Sequence, residues 1–194
     1  MEITDIGPFK KLSAPADWRR NALRIPLGNR LELPVIQLSL PGKEEDLEIG
    51  IFYRGKLESE DDGDNFHALL QQHKEAQGPA ALSPGQIRSL TRVLDLAGFN
   101  QYVFPRHLSG YNPDFQLRSA QVLVLKGRPV LRVDGEFRAD VSPDTFYLCF
   151  YVEADKSGRK IYELYLRATD RTLYFRALPA FNQLVDSIEW AANT

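Results

Sequence analysis

The chain is poor in the residues that build disulfides and metal centres, with one cysteine, Cys149, and three histidines. A single cysteine cannot form an intramolecular disulfide. Cys149 stands within the apolar run 146–151, where a free thiol usually behaves as a small buried side chain. We therefore predict a core cysteine, and the composition gives no sign of an oxidising compartment.

Long apolar runs and an excess of one charge are also lacking. No run approaches the roughly 20 apolar residues that a membrane-spanning helix needs, and the first residues do not look like a secretory signal. The formal net charge is −2, without the basic excess typical of nucleic-acid-binding proteins. We expect a soluble cytoplasmic protein that neither spans a membrane nor binds nucleic acid.

The standard catalytic motifs are missing as well. The sequence has no glycine-rich phosphate loop and no Gly-x-Ser-x-Gly elbow, and its histidines lack zinc-ligand spacing. His107, Ser109 and Asp114 share one segment, but proximity in sequence does not supply the geometry of a catalytic triad. We expect no cofactor, no metal and no enzymatic activity.

What the chain does contain is enough apolar sequence for one core. Of its 194 residues, 43% are hydrophobic and 26% charged, which is typical of a globular domain. Two apolar runs, 31–40 and 47–53, flank a Pro-Gly loop and predict a hairpin. In the second run, Leu47, Ile49, Ile51 and Tyr53 alternate and should face the core.

Residues 58–98 resemble a helical excursion between strands. The acidic segment 58–64 does not match the spacing of a calcium loop, so we interpret it as solvated, with Asp64 capping a helix. That helix would present an apolar stripe and one histidine, namely Phe66, Leu69, Leu70 and His73. The segment Ser83-Pro84-Gly85-Gln86 then predicts a capping box at the start of a second helix.

The last third of the chain alternates strand-like runs with turns. Runs at 117–125, 131–138, 146–154 and 161–168, with a last short strand at 173–176, predict an antiparallel meander. Pro179 should then start a helix that packs on the sheet. The prediction is a single α+β domain over 1–194, an antiparallel sheet with helices packed against it.

Two surfaces are candidates for partner binding. The first is the aromatic segment 99–114, with Tyr102, Phe104, His107 and Tyr111, which packing of a long loop would also explain. The second is a solvated face of the C-terminal sheet bearing Arg132, Arg138 and Arg167. Cross-strand pairing with acidic residues is the alternative there.

The turn Pro15-Ala16-Asp17-Trp18, the strands over 115–176 and the closing segment 173–188 resemble the PsbP-like fold. That fold is shared by the PsbP subunit of photosystem II, the Ran-binding import factor Mog and small bacterial proteins tied to type VI secretion. The resemblance implies a sandwich of sheet and helices that binds other proteins, with no family catalytic residue to transfer.

We therefore expect a non-enzymatic protein-binding module: a chaperone, adaptor or immunity-type protein, plausibly of a bacterial secretion or antagonism system. Its partner would be another protein, with a second copy of the chain as one option. The alternative is a small-molecule-binding or hydrolytic enzyme, with a site between sheet and helices in which His107 and nearby acids are the polar groups. A subunit of a larger assembly is a third option.

Overall fold

The computed structural model is dominated by antiparallel β-structure and describes residues 1–27, 31–56, 60–72, 74, 78–86, 114–139, 142–155 and 160–192. Two helices with defined bounds are α1 (Glu60–Gln72) and α2 (Arg171–Asp186). The strands, in chain order, are β1 (Glu2–Ile6), β2 (Phe9–Ser13), β3 (Arg19–Leu27), β4 (Leu31–Ser39), β5 (Leu47–Lys56), β6 (Ala80–Ala81), β7 (Asp114–Leu125), β8 (Arg128–Ala139), β9 (Ser142–Glu153), β10 (Lys160–Ala168) and β11 (Glu189–Trp190).

Eight strands form one sheet in the order β3-β4-β5-β10-β9-β8-β7-β6, and β1-β2-β11 form a small second sheet. All the recorded strand pairs are antiparallel. The predicted meander is confirmed, because β7, β8, β9 and β10 are successive neighbours. A tight turn joins β7 to β8, in which Lys126 and Gly127 both have positive φ, at 47° and 81°. Two such residues match a type I′ turn, whose twist suits a hairpin.

The predicted α+β sandwich is wrong. Among the described residues, strands far outnumber helices, so the architecture is one large antiparallel sheet with few helices rather than a sandwich of a sheet layer and a helix layer. The sequence predicts two strands in the N-terminal part and does not indicate the separate sheet of β1, β2 and β11. Within the described ranges, no helix is long and apolar enough to cross a membrane.

The end of the chain differs from the prediction. Residues 173–176, expected to form a strand, belong to α2, which begins at Arg171 rather than at Pro179. Asp170 caps this helix, because its Oδ1 accepts a hydrogen bond from the Leu173 amide at 2.9 Å. Pro179 lies inside the helix on its exposed side, where water can solvate the carbonyl that a proline leaves without an amide donor.

Both faces of the large sheet carry buried side chains, which explains why its central strands are apolar almost throughout. The first face packs against α2 and the small sheet, where Phe9, Leu12 and Phe181 are fully buried. The second face packs against α1 through Phe66, Leu69 and Leu70. Neighbouring residues of β9 therefore alternate between two cores.

Local predictions have mixed outcomes. The core face of β5 is confirmed for Leu47, Ile49 and Ile51, and Cys149 is fully buried. The capping box is confirmed: Gln86 Oε1 accepts from the Ser83 amide at 2.9 Å, and the Gln86 amide donates to Ser83 Oγ at 3.3 Å. Asp64 does not cap a helix, since α1 already begins at Glu60. His73 and the continuation of the second predicted helix beyond residue 86 lie outside the described residues.

Candidate functional surfaces

The predicted partner-binding residues are placed very differently by the fold. Tyr102, Phe104, His107 and Tyr111 lie outside the described residues, so the aromatic segment 99–114 stays a prediction. Arg138 lies near the end of β8, and its side chain is also outside the described part of the chain. The structure therefore locates the side chains of two predicted residues, Arg132 and Arg167.

Those two arginines lie on opposite faces of the large sheet. Leu131 and Val133 point into the core beneath α1, so Arg132 points to the face that carries α2. In β10 the pattern is reversed, because Leu166 and Ala168 point towards α2. Arg132 and Arg167 therefore do not form the single solvated face that the sequence predicted.

Arg167 is a buried structural side chain and is 4% exposed. Its Nη2 lies 3.5 Å from Glu48 Oε2 across the β5–β10 pair, and it donates to the Glu45 carbonyl oxygen at 3.3 Å. The alternative of cross-strand pairing thus applies to this arginine. Both members of the pair are withdrawn from solvent, so neither can be a surface contact for a partner.

Further donors complete the hydrogen bonding of the Glu48 carboxylate. Gln37 Nε2 donates to Oε2 at 2.8 Å, and the Tyr165 hydroxyl donates to Oε1. Burial raises the pKa of Tyr165 well above its ordinary value, so the hydroxyl stays a donor. The Tyr165 ring lies across Gly50, where a Cβ would overlap the ring atoms. Glycine at this position therefore lets a tyrosine reach the buried carboxylate.

On the other face of the sheet, aromatic and arginine side chains form a continuous row at the edge of α2. The Phe146 and Tyr174 ring centroids are 5.8 Å apart, and those of Tyr174 and Phe175 are 5.5 Å apart. Arginines lie over the two ends of this row: Arg118 is 5.3 Å from the Phe146 ring and Arg171 is 5.6 Å from the Phe175 ring. We call this surface the arginine–aromatic face; it comprises Arg118, Arg132, Asp134, Phe146, Arg171, Tyr174 and Phe175.

The charges of this face are arranged with the acid inside and the cations outside. Asp134 is half-buried, lies 3.7 Å from Arg118 Nη2, and is a near neighbour of the Tyr174 side chain. Burial raises the pKa of Asp134, and the nearby Arg118 opposes that rise. Burial, with the neighbouring Asp134 charge, raises the pKa of Tyr174 to about 12. The guanidinium groups of Arg118 and Arg171 are exposed and lie over the rings of the aromatic row.

A separate cleft of about 110 Å³ lies between α1 and the ends of β8 and β9. Gly127 of the β7–β8 turn lies at one side, and the polar lining residues are His67, Gln71, Lys74, Arg128, Glu153 and Asp155. Both carboxylate oxygens of Glu153 lie close to His67 Nδ1, at 3.0 and 3.1 Å. Residues 86 apart in sequence therefore meet as a histidine–carboxylate pair.

Burial controls the electrostatics of this cleft. It raises the pKa of Glu153 above its ordinary value, while the adjacent His67 acts in the opposite direction. Burial also lowers the pKa of Arg128, whose guanidinium lies 4.8 Å from the Trp190 ring and donates to the carbonyl oxygens of Glu153 and Ala191. Arg128 is therefore a fixed positive charge beneath the cleft.

The sequence predicts an arginine-bearing face that includes Arg132, but it indicates neither the aromatic row beside that arginine nor the pairing of His67 with Glu153. His67 was recognised only as unsuited to zinc, and nothing in its surroundings in sequence points to Glu153. Phe175 was assigned to a strand, which concealed that it projects from a helix. The signal that could have found the face was Asp170, an N-cap residue directly before an apolar stripe of helical period at Tyr174, Ala177 and Phe181.

Comparisons with known proteins assign no family. No protein-family model matches the chain, and no curated protein matches it. Among solved structures, the chain is similar to CalU16 from Micromonospora echinospora, with 12% identity over 87% of this chain and 85% of that chain. The TM-score is 0.22, and at that value the similarity supports no statement about fold, ligand or activity.

Proposed function

We propose that this chain is a non-enzymatic protein-binding module whose contact surface is the arginine–aromatic face. The observation that carries the proposal is the unbroken ring row from Phe146 through Tyr174 to Phe175, with an arginine over each end. Aromatic residues and arginine are the types enriched at the centres of protein interfaces. Here they are adjacent on one side of α2.

Phe175 is the anchor of this surface. It is 51% exposed, although helices of globular proteins normally bury large aromatic side chains on their apolar stripe. Its neighbour Tyr174 is 2% exposed, so the row runs from the core to the solvent. A partner that covered Phe175 would therefore extend an existing core rather than create a separate contact.

The outward cations define the chemistry of the partner. Arg118 and Arg171 are exposed, and the acid between them, Asp134, already lies beside Arg118. A partner segment with an apolar side chain flanked by carboxylates would cover Phe175 and pair with both guanidinium groups. We therefore propose an acidic protein partner. Arg132 belongs to this surface, whereas Arg167 does not, because it is buried with Glu48.

The resemblance to the PsbP-like fold supports a more specific proposal. The chain would be a cytoplasmic chaperone, adaptor or immunity-type protein whose partner belongs to a bacterial secretion or antagonism system. A second copy of the chain is a competing occupant of the same face. The experiment must therefore distinguish self-association from binding of a different, acidic protein.

The test is a quantitative pull-down with the tagged full chain, comparing two face variants with two matched controls. Phe175→Ala removes the anchor, and Val124→Ala is its control, because Val124 is 39% exposed and lies elsewhere, on β7. Arg171→Glu reverses the charge of an arginine on the arginine–aromatic face. Its control is Arg20→Glu, which makes the same charge reversal at an exposed arginine of β3, outside that face. Sedimentation of each purified variant reports self-association.

We expect capture of an acidic protein that falls at least about tenfold in Phe175→Ala and Arg171→Glu, which corresponds to about 1.4 kcal/mol of binding free energy. The two controls should match the unmodified chain. Equal capture by all four variants would contradict the proposal. A dimer lost only in the face variants would assign the surface to a second copy instead.

A further inference from the structure

The cleft beneath α1 has chemistry that the proposed function does not use. It lies on the opposite side of the large sheet from the arginine–aromatic face, since α1 packs on the second core and α2 on the first. Its volume of about 110 Å³ corresponds to about three or four water molecules. A group of a few heavy atoms would fill it.

The geometry of His67 leaves one ring nitrogen available to such a group. Glu153 occupies Nδ1, so that nitrogen carries its proton towards the carboxylate. Nε2 makes no hydrogen bond to any residue in the described ranges, and the His67 side chain is 35% exposed. When the ring is protonated, Nε2–H is a charged donor directed away from Glu153.

Positive charge surrounds that donor. Lys74 follows α1, is exposed, and forms no ion pair with any described residue. Arg128 adds a second cation, held in place by Trp190 and two carbonyl oxygens. The acids of the cleft are both engaged with cations, because Glu153 contacts His67 and Asp155 lies 3.3 Å from Lys160 Nζ. His67 Nε2 and Lys74 Nζ therefore have no acidic partner among the described residues.

We propose that this cleft binds a small oxyanion, a carboxylate or phosphate group, between His67 Nε2 and the ammonium group of Lys74. Glu153 is the positioning residue because its carboxylate holds the ring through Nδ1, while Arg128 adds positive charge to the lining of the cleft. Charge-assisted hydrogen bonds of this kind are stronger than neutral ones, which suits a shallow, partly solvated site. The volume of the cleft suits a single carboxylate or phosphate group.

The test uses inorganic phosphate and acetate as separate probes, followed by ¹H–¹⁵N NMR of the histidine rings in the full chain. Sodium chloride at equal ionic strength is the control for non-specific screening. His67→Gln identifies the His67 signals, and Lys74→Gln removes the second donor. The matched control is Lys10→Gln, at an exposed lysine of β2.

We expect saturable shifts of the His67 Nε2 signal with one or both probes and none with chloride. Binding should weaken about tenfold in Lys74→Gln and stay unchanged in Lys10→Gln, since tenfold corresponds to the loss of about 1.4 kcal/mol. Response to phosphate alone or acetate alone identifies the anion class. Absence of saturable shifts with either probe, or an equal effect of both lysine variants, would overturn the proposal. Neither result depends on the arginine–aromatic face.

Discussion

Replacing Arg167 by methionine distinguishes a buried structural arginine from a surface contact. In the ion pair with Glu48, the two side chains are 5% and 6% exposed. Arg167→Met removes the cation and fills most of its volume, leaving a carboxylate inside the sheet without its counter-charge. Breaking a buried pair in this way typically costs about 3–5 kcal/mol. Because Gln37 and Tyr165 still donate hydrogen bonds to Glu48, we expect a loss of unfolding free energy at the lower end of this range, about 3 kcal/mol.

Urea unfolding measures this loss directly. Domains have unfolding free energies of about 5–15 kcal/mol, so about 3 kcal/mol is a large fraction, and for this chain length it lowers Tm by about 6–12 °C. Arg20→Met, at an exposed arginine, should change stability by no more than about 0.5 kcal/mol.

A second variant tests the cause. In the double variant Glu48→Gln/Arg167→Met, the buried carboxylate that lacks a counter-charge is replaced by a neutral amide. The double variant should therefore have a higher free energy of unfolding than Arg167→Met alone. The reasoning is refuted if Arg167→Met behaves like Arg20→Met, or if adding Glu48→Gln lowers the free energy of unfolding further.

Three further predictions follow from the same structure. Gly50→Ala should cost about 1–3 kcal/mol in urea unfolding, because the new Cβ overlaps the Tyr165 ring, whereas Gly85→Ala, next to open space, should not destabilise; equal losses would contradict this. Burial raises the pKa of Glu153 above 4.5, so the folded chain holds this proton longer and its contribution to stability falls as pH rises from about 4.5 through the folded pKa. Glu153→Gln should remove that fall from the pH dependence of the unfolding free energy, and a pH profile identical to that of the unmodified chain would contradict the prediction. In the control Glu44→Gln, the lost contribution should have the opposite sign, because backbone hydrogen bonds lower the pKa of Glu44. Finally, the single thiol of Cys149 is fully buried, so a thiol reagent should label one group in denaturant and almost none in the folded chain; rapid labelling without denaturant would disprove its burial.

The sequence predicts most of the longer strands, because apolar or alternating runs bounded by turns are a strong local signal. It identifies β4, β5 and β7 to β10, and the turn at Lys126-Gly127, since positive φ favours glycine there. It fails at α2 because Leu173-Tyr174-Phe175 is rich in aromatic residues, which favour strands when considered alone. The helix is stabilised by packing of Phe181 and Leu184 on the sheet, which a local pattern does not reveal.

The candidate sites were harder to predict because they depend on the register of distant strands. Arg132 and Arg167 look alike in sequence, and only the cores flanking each strand show that one faces α2 and the other α1. The pairing of His67 with Glu153 needs α1 to lie against the end of β9, a contact between elements 86 residues apart.

The most direct test of the proposed binding surface is hydroxyl-radical footprinting of the chain with and without the captured partner. Phe175 is 51% exposed and Met1 is 48% exposed, so both should be oxidised in the free chain, and Met1 is an internal control for dose. We predict that the complex protects Phe175 several-fold and leaves Met1 unchanged. Unchanged oxidation of Phe175, with protection confined to Tyr102, Phe104 and Tyr111, would contradict the account and assign binding to the segment 99–114.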